Sequence, residues 1–351
     1  MALTNYQKEK ISIEVIKTLL TRFESFPEDA SNNRNAPFHE AFLKAFSDKL
    51  EGKVSDTPFF ISLSSWLQGL NTTLGQTFFE NVAHILCNGE KREYTSKKRG
   101  NLQITKTQKQ NINNIITNLS NTIEKPDLDK ENTLIFHNYT TPLVSALDFS
   151  ADVFIEDDYF ITAIELKSVK PNSGEMRGEK QKILEGKAAL YRLFPEKQIN
   201  FFIGFPFDPT VNPNKETITS SNKARFLNSI INMNKFFAQK ETLVANELWN
   251  MLSGQQNTMD YILEIINSIS TTKFLDKFRL LLDSTKRLTP EYKTQLIQWN
   301  LFSEIELIDN NNTIIHKIGD DKMLKRIYNK TIFDSKGNYN TDRFNTLKTL
   351  F

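Results

Sequence analysis

The chain has 351 residues, enough for one large domain or two modest ones. Hydrophobic residues make up 39% and charged residues 25%, an ordinary globular composition. With 44 basic and 42 acidic side chains the net charge is only +2, which excludes a uniformly basic coat protein or an acidic tail protein but not local patches.

Thr4 and Gln7 have capping-box spacing, and Ile13, Ile16, Leu20 and Phe23 recur at helical intervals, so the chain opens on a predicted helix. FPEDASNNRNAP (26–37) reads as a loop, after which Phe38, Phe42 and Phe46 resume a helical period. A further helix is predicted over 74–86, LGQTFFENVAHIL. Segment 91–109 carries seven basic residues and one acidic residue, then runs into an amphipathic helix with Ile112, Ile115, Ile116 and Leu119 on one face. Residues 125–132 read as a loop.

From 133 to 207 the period becomes that of strands: TLIFHNY, DFSADVFI, YFITAIELKSV and INFFIGFPF. GEMRGEKQKILEGKAALYRLF, between the last two, reads as a helix. Strand, hairpin, strand, helix, strand predicts an α/β core with a mixed sheet. After a linker-like 208–216, NTMDYILEIINSI, KFLDKFRLLLDS and PEYKTQLIQWNLF are predicted amphipathic helices. EIELIDNNNTIIHKI reads as a hairpin around its Asn run, giving a winged-helix-like ending. The expected division is a helical region 1–64, an α/β core 65–240 and a mostly helical region 241–351.

The chemistry concentrates at 145–190. The pattern acid-x-Lys occurs at 51–53, 165–167, 185–187, 291–293, 320–322 and 334–336, so the triplet alone carries little. Only Glu165–Lys167 ends an uninterrupted strand-like run, where charge is costly unless it serves something. The side-chain period of two puts Glu165 and Lys167 on one face with Ile161 and Ala163. With Asp157-Asp158 as a two-residue hairpin loop, residues 155 and 160 pair. Asp152 then lies diagonal to Glu165 on the same face, and a one-residue slip would remove it.

Two carboxylates with a lysine beside them suit Mg2+, which takes one or two carboxylates plus waters and phosphate oxygens. Such an ion activates water and holds a scissile phosphate, while Lys167 orients the water or stabilises developing charge. The lone Cys87 excludes an internal disulfide and a multi-cysteine metal site. His39, His84, His137 and His316 form no His-x-x-x-His pair, which argues against zinc. No P-loop, Gly-rich dinucleotide motif or nucleophile elbow is present, so no nucleotide cofactor is expected. No run of 18 apolar residues and no signal-peptide core is present, so an intracellular, cytoplasmic protein without membrane contact is expected.

Asp152 followed thirteen positions later by Glu165-Leu166-Lys167 resembles the PD-(D/E)XK nuclease superfamily, with Ala151 where its name has Pro. More narrowly, SWLQGLNTTLGQTFFENVAHIL and ELKSVKPNSGEMRGEKQKILEGKAAL resemble the TdeIII-type family of type II restriction endonucleases. The resemblance covers about 65–190 well and the C-terminal third poorly. It implies a restriction-endonuclease-like core and Mg2+-dependent cleavage of double-stranded DNA at a short palindrome, with GGNCC the associated site. Asp152 and Glu165 would hold the metal, Lys167 would assist the nucleophile, and Glu80 would be a supporting carboxylate.

Lys97, Lys98 and Arg99, in the basic segment, are candidate phosphate contacts. So are Lys170, Arg177, Lys180 and Lys182, which follow the catalytic strand. Glu185 and Lys187 repeat the acid-x-Lys spacing on a helix, where i and i+2 do not share a face, and are rejected as a second catalytic pair. Asp148 shares its parity with Asp152 but lies four residues further from the turn. Cutting both strands of a symmetric site is most simply done by a homodimer. The alternatives are a structure-specific repair or junction nuclease on the same core, and a non-catalytic DNA-binding regulator.

Overall fold

The computed structural model describes residues 3–28, 37–54, 56–167 and 175–351. Among these, the strands are β1 (Glu90–Tyr94), β2 (Gln103–Thr105), β3 (Leu143–Ser145), β4 (Phe149–Glu156), β5 (Phe160–Leu166), β6 (Gln198–Phe205) and β7 (Thr242–Val244). β2 and β3 form a separate small ladder, and the main sheet has the order β1-β4-β5-β6-β7. The β1-β4 and β4-β5 pairs are antiparallel, whereas β5-β6 and β6-β7 are parallel. The sheet is therefore mixed, as the alternation of strands with one helix requires.

The parallel centre is the most apolar part. Ile161, Ala163 and Ile164 on β5 are buried against Ile199, Phe201, Ile203 and Phe205 on β6, as strands covered on both faces must be. Helix Glu175–Leu193 makes the crossover from β5 to β6 and buries Met176, Ile183, Leu184, Ala188 and Leu190. Gly186 permits its close approach: a Cβ there would meet the Phe201 ring at 3.0 Å and the Phe149 ring at 3.2 Å. Helix Asn246–Ser253 is fixed by Trp249 Nε1, which donates to the Pro206 carbonyl at 2.8 Å.

The chain forms two compact units. One comprises Met1–Leu3 and Phe79–Tyr261 and holds every strand named above. The other comprises Thr4–Phe78 and Ile262–Phe351 and is helical. It opens on helix Asn5–Glu24, capped by the Thr4–Gln7 capping box. Within it Leu307, Ile314, Ile318 and Leu347 form a core cluster, and buried Arg343 meets both oxygens of buried Glu304 at 2.7 and 2.9 Å.

Four expectations give way. TLIFHNY is not a strand: helix Leu128–Ile135 takes its first three residues and most of the expected 125–132 loop. Its start is fixed by Asp127, whose carboxylate accepts from the N–H groups of Asp129 and Lys130. EIELIDNNNTIIHKI is not a hairpin but two helices, Phe302–Asp309 and Asn311–Ile318, meeting at Asn310. The winged-helix ending goes with it. Most of the loop expected at 26–37 lies outside the described residues. Among the described residues no helix is long and apolar enough to cross a membrane.

Candidate active site

The hairpin that carries the site is wider than expected. Glu156 pairs with Ile161 and Val153 with Ile164, leaving four residues in the turn. The Asp157 carboxylate closes it by accepting from the N–H groups of Tyr159 and Phe160 at 2.8 and 2.7 Å. The register thus differs from the two-residue-loop expectation by two, an even shift that does not turn either strand over. One further step along it brings Asp152 opposite Glu165 rather than diagonal to it. The Leu166 N–H donates to Asp152 Oδ2 at 2.9 Å, tying that carboxylate to the end of β5.

Both carboxylates are largely withdrawn from solvent, Asp152 at 8% and Glu165 at 7% exposure. Burial, with the neighbouring Asp152 charge second, raises the Glu165 pKa above the usual carboxylate range; Lys182 and Lys167 work in the other direction. Glu165 Oε1 lies 3.3 Å from Lys167 Nζ and 3.4 Å from Lys182 Nζ. Glu165 Oε2 is buried with no hydrogen-bond partner.

Lys167 follows β5, and its N–H donates to the Gly204 carbonyl at 2.8 Å, which fixes its backbone. Its ammonium also reaches Glu179 at 3.2 Å and Glu175 at 3.4 Å. Burial alone would lower its pKa, but Glu165, Glu179 and Glu175 outweigh that and raise it. Lys182 lies 3.4 Å from Glu179 Oε2, so helix Glu175–Leu193 brings an acid and a base to the pair.

Glu80 lies in the first turn of helix Phe79–Cys87. Its carboxylate meets Lys91 Nζ at 3.0 and 3.1 Å, and the same ammonium lies 3.0 Å from Asp152 Oδ1. Burial and then the Asp152 charge raise the Glu80 pKa. His84, one turn along this helix, places Nε2 2.7 Å from the Asp152 backbone oxygen. Lys91 and Glu179 are site residues that the sequence does not single out. Lys91 is there one cation of a basic run, and the signal for Glu179 is its i,i+3 spacing to Lys182.

The remaining candidates are scattered. Lys97, Lys98 and Arg99 sit exposed in the turn after β1, where Lys98 meets Glu93 at 3.5 Å and Arg99 meets Glu90 at 3.3 Å. Arg177 is exposed on helix Glu175–Leu193. Lys170 lies outside the described residues. Lys180 corrects the expectation of a phosphate contact: it is 0% exposed, with Nζ 2.5 Å from Glu131 and 2.6 Å from Glu241. Its helical position turns it inward, where no phosphate can reach. Glu185 and Lys187 are separately engaged, with Lys109 at 2.7 Å and Asn132 at 3.3 Å, in keeping with their rejection as a pair. Asp148 is exposed and bonded to Asn101.

Among the described residues no three His, Cys, Asp or Glu side chains are arranged to hold a metal ion. Two facing carboxylates, one with an unpartnered buried oxygen, nevertheless fit a hard cation that completes its shell with water and phosphate oxygens. The sequence profile described as "Type II restriction endonuclease, HinfI" matches residues 3–270. The chain is 40% identical, over 364 aligned positions, to the Type II restriction enzyme MjaII of Methanocaldococcus jannaschii; the alignment covers 98% of this chain and 96% of that one. Carboxylates and lysines gathered at the end of a mixed sheet are thus found in a chain that belongs to the HinfI family of type II restriction endonucleases, enzymes that cut DNA at specific sites.

Proposed function

We propose that this chain hydrolyses phosphodiester bonds of double-stranded DNA at a short palindromic site, on a core of the PD-(D/E)XK type that uses Mg2+. The observation that carries the reading is the Glu165 carboxylate, buried beside Asp152 with Oε2 unpartnered and two lysines on its other oxygen. A buried carboxylate with an open oxygen is costly unless a cation takes it. When bound, Mg2+ supplies a hard Lewis acid that activates water and steadies the scissile phosphate.

Asp152 and Glu165 are the residues to hold it. Leu166 keeps Asp152 oriented through its N–H, and Lys167 stands where it can orient the attacking water or stabilise negative charge on the phosphate. Glu80 supports the cluster through Lys91. Lys182 adds positive charge at the pair itself, and exposed Arg177, Lys97, Lys98 and Arg99 contact the DNA backbone. Lys170 is a further phosphate contact in this reading. A homodimer presents one such site to each strand of a two-fold target. GGNCC, from the likeness of 65–190 to TdeIII-type sequences, is the first target to try.

The test is digestion of a long DNA of mixed sequence, with Mg2+ or with EDTA, by the native chain, Glu165→Ala and Lys167→Ala. Discrete fragments that need Mg2+ and vanish in both variants support the reading. A smear, or intact DNA under every condition, defeats it.

A further inference from the structure

The two oxygens of Asp152 are both engaged. Oδ2 takes the Leu166 N–H at 2.9 Å, and Oδ1 lies 3.0 Å from the Lys91 ammonium. Glu165 offers one open oxygen, so the two proposed metal ligands are not equivalent: one is free and the other is already neutralised. The neutralising group is held by an irregularity in the sheet. Glu90 pairs with Phe154 but Arg92 pairs with Ala151, so β4 spends an extra residue opposite β1, and Lys91 falls across from Asp152 at that bulge. There its ammonium also collects both oxygens of Glu80. A single cation thus sits between two carboxylates drawn from a strand and a helix, which is the place of a metal ion.

We propose that Lys91 is a built-in stand-in for the metal, and that a divalent cation can be taken up by Asp152 only by displacing the Lys91 ammonium. This rests on the metal reading of Asp152 and Glu165 given above. A dication bound at Oδ1 would lie within a few ångströms of an ammonium at its present place, and two such charges repel. The side chain can leave, since it is partly exposed and its four-carbon stem is flexible. Lys91 therefore weakens metal binding by the DNA-free protein while preventing Asp152 and Glu80 from repelling each other in the metal's absence.

The test is a calorimetric titration of the full DNA-free chain with Mn2+, with thermal unfolding to verify folding. The proteins are the native chain, Lys91→Met, Lys91→Gln, Asp152→Asn and the Lys91→Met/Asp152→Asn double variant. Both Lys91 variants are expected to bind Mn2+ about tenfold more tightly than the native chain or better, a normal size for coupling between two ligands. The gain is expected to vanish in the double variant. Without metal, Lys91→Met is expected to melt below the native chain and to recover more on adding Mn2+. If the Lys91 variants bind no more tightly while Asp152→Asn binds more weakly, this inference is overturned and the metal reading stands. If Asp152→Asn leaves Mn2+ binding unchanged, the metal reading fails and takes the inference with it.

Discussion

The Leu166 backbone N–H donates to Asp152 Oδ2 at 2.9 Å, so the residue after Glu165 holds the carboxylate of the strand that faces it. Oδ2 of Asp152 is thus set by main chain, whatever Lys91 does at Oδ1, and Asn at that position keeps an acceptor for the same N–H. Asp152→Asn and Glu165→Gln should each slow DNA cleavage by about 10²–10³-fold or more, the scale for removing one preorganised charge from a reacting centre. Their thermal midpoints should stay close to the native value. Initial rates on a single-site plasmid measure the first, calorimetry the second. Near-native cleavage by either variant would remove that residue from the site.

Lys180 should behave as a structural residue. Its ammonium sits between buried Glu131 and Glu241, and removing one partner of a buried ionic cluster leaves the others uncompensated. Lys180→Ala should cost about 3–5 kcal/mol in urea unfolding. The salt dependence of DNA binding should not change. A variant of native stability that binds DNA more weakly would restore the phosphate-contact reading.

Lys187 gives a pH signature. Burial pushes its ammonium down to about 8 from an ordinary 10.5, and Glu241 opposes the shift. Below about pH 8 folded and unfolded chains both carry the proton, and the full cost of the buried charge is present. Between 8 and 10.5 the folded lysine is neutral while the unfolded one is still charged, so the cost fades as pH rises. Stability from this group is thus present above 10.5 and lost as pH falls through 8. Lys187→Met should stabilise the protein at about pH 7 by about 1–3 kcal/mol, and the gain should shrink by about pH 9.5. Denaturant titrations at the two pH values read this directly; a gain that is equal at both would contradict it.

The turn after β1 should matter for DNA and for little else. Replacing Lys97, Lys98 and Arg99 together by Ala removes only exposed ion pairs, which contribute little to stability. The slope of log affinity against log salt should fall by about 0.9 for each phosphate that is no longer neutralised. Cleavage at saturating protein should be unchanged. An unaltered slope in a filter-binding series would take these residues off the DNA.

The arrangement of the candidate site is legible in the sequence because its logic is local. The apolar run into Glu165, the hairpin before it and the helix after it are spelled by neighbouring residues, and an even error in loop length leaves the pairing faces intact. Lys91 is invisible for the opposite reason: its place depends on a bulge against β4, a strand distant in sequence. Lys180 and Lys182 look alike as text, and only packing tells which faces inward. The helices at 302–318 are hidden in another way. Their buried residues Leu307, Asn311, Ile314 and Ile318 keep helical spacing, but the Asn run between them imitates a turn.

Helix Glu175–Leu193 is gripped on one side and turned toward Glu165 on the other. Lys180 and Lys182, two residues apart, point about 200° apart around its axis. One is locked to Glu131 and Glu241, and the other leans on Glu165. Any roll of the helix that loosens the first must carry off the second. On heating, cutting and the burial of Lys180 should therefore be lost together, because the buried lysine acts as the helix's rotational brake.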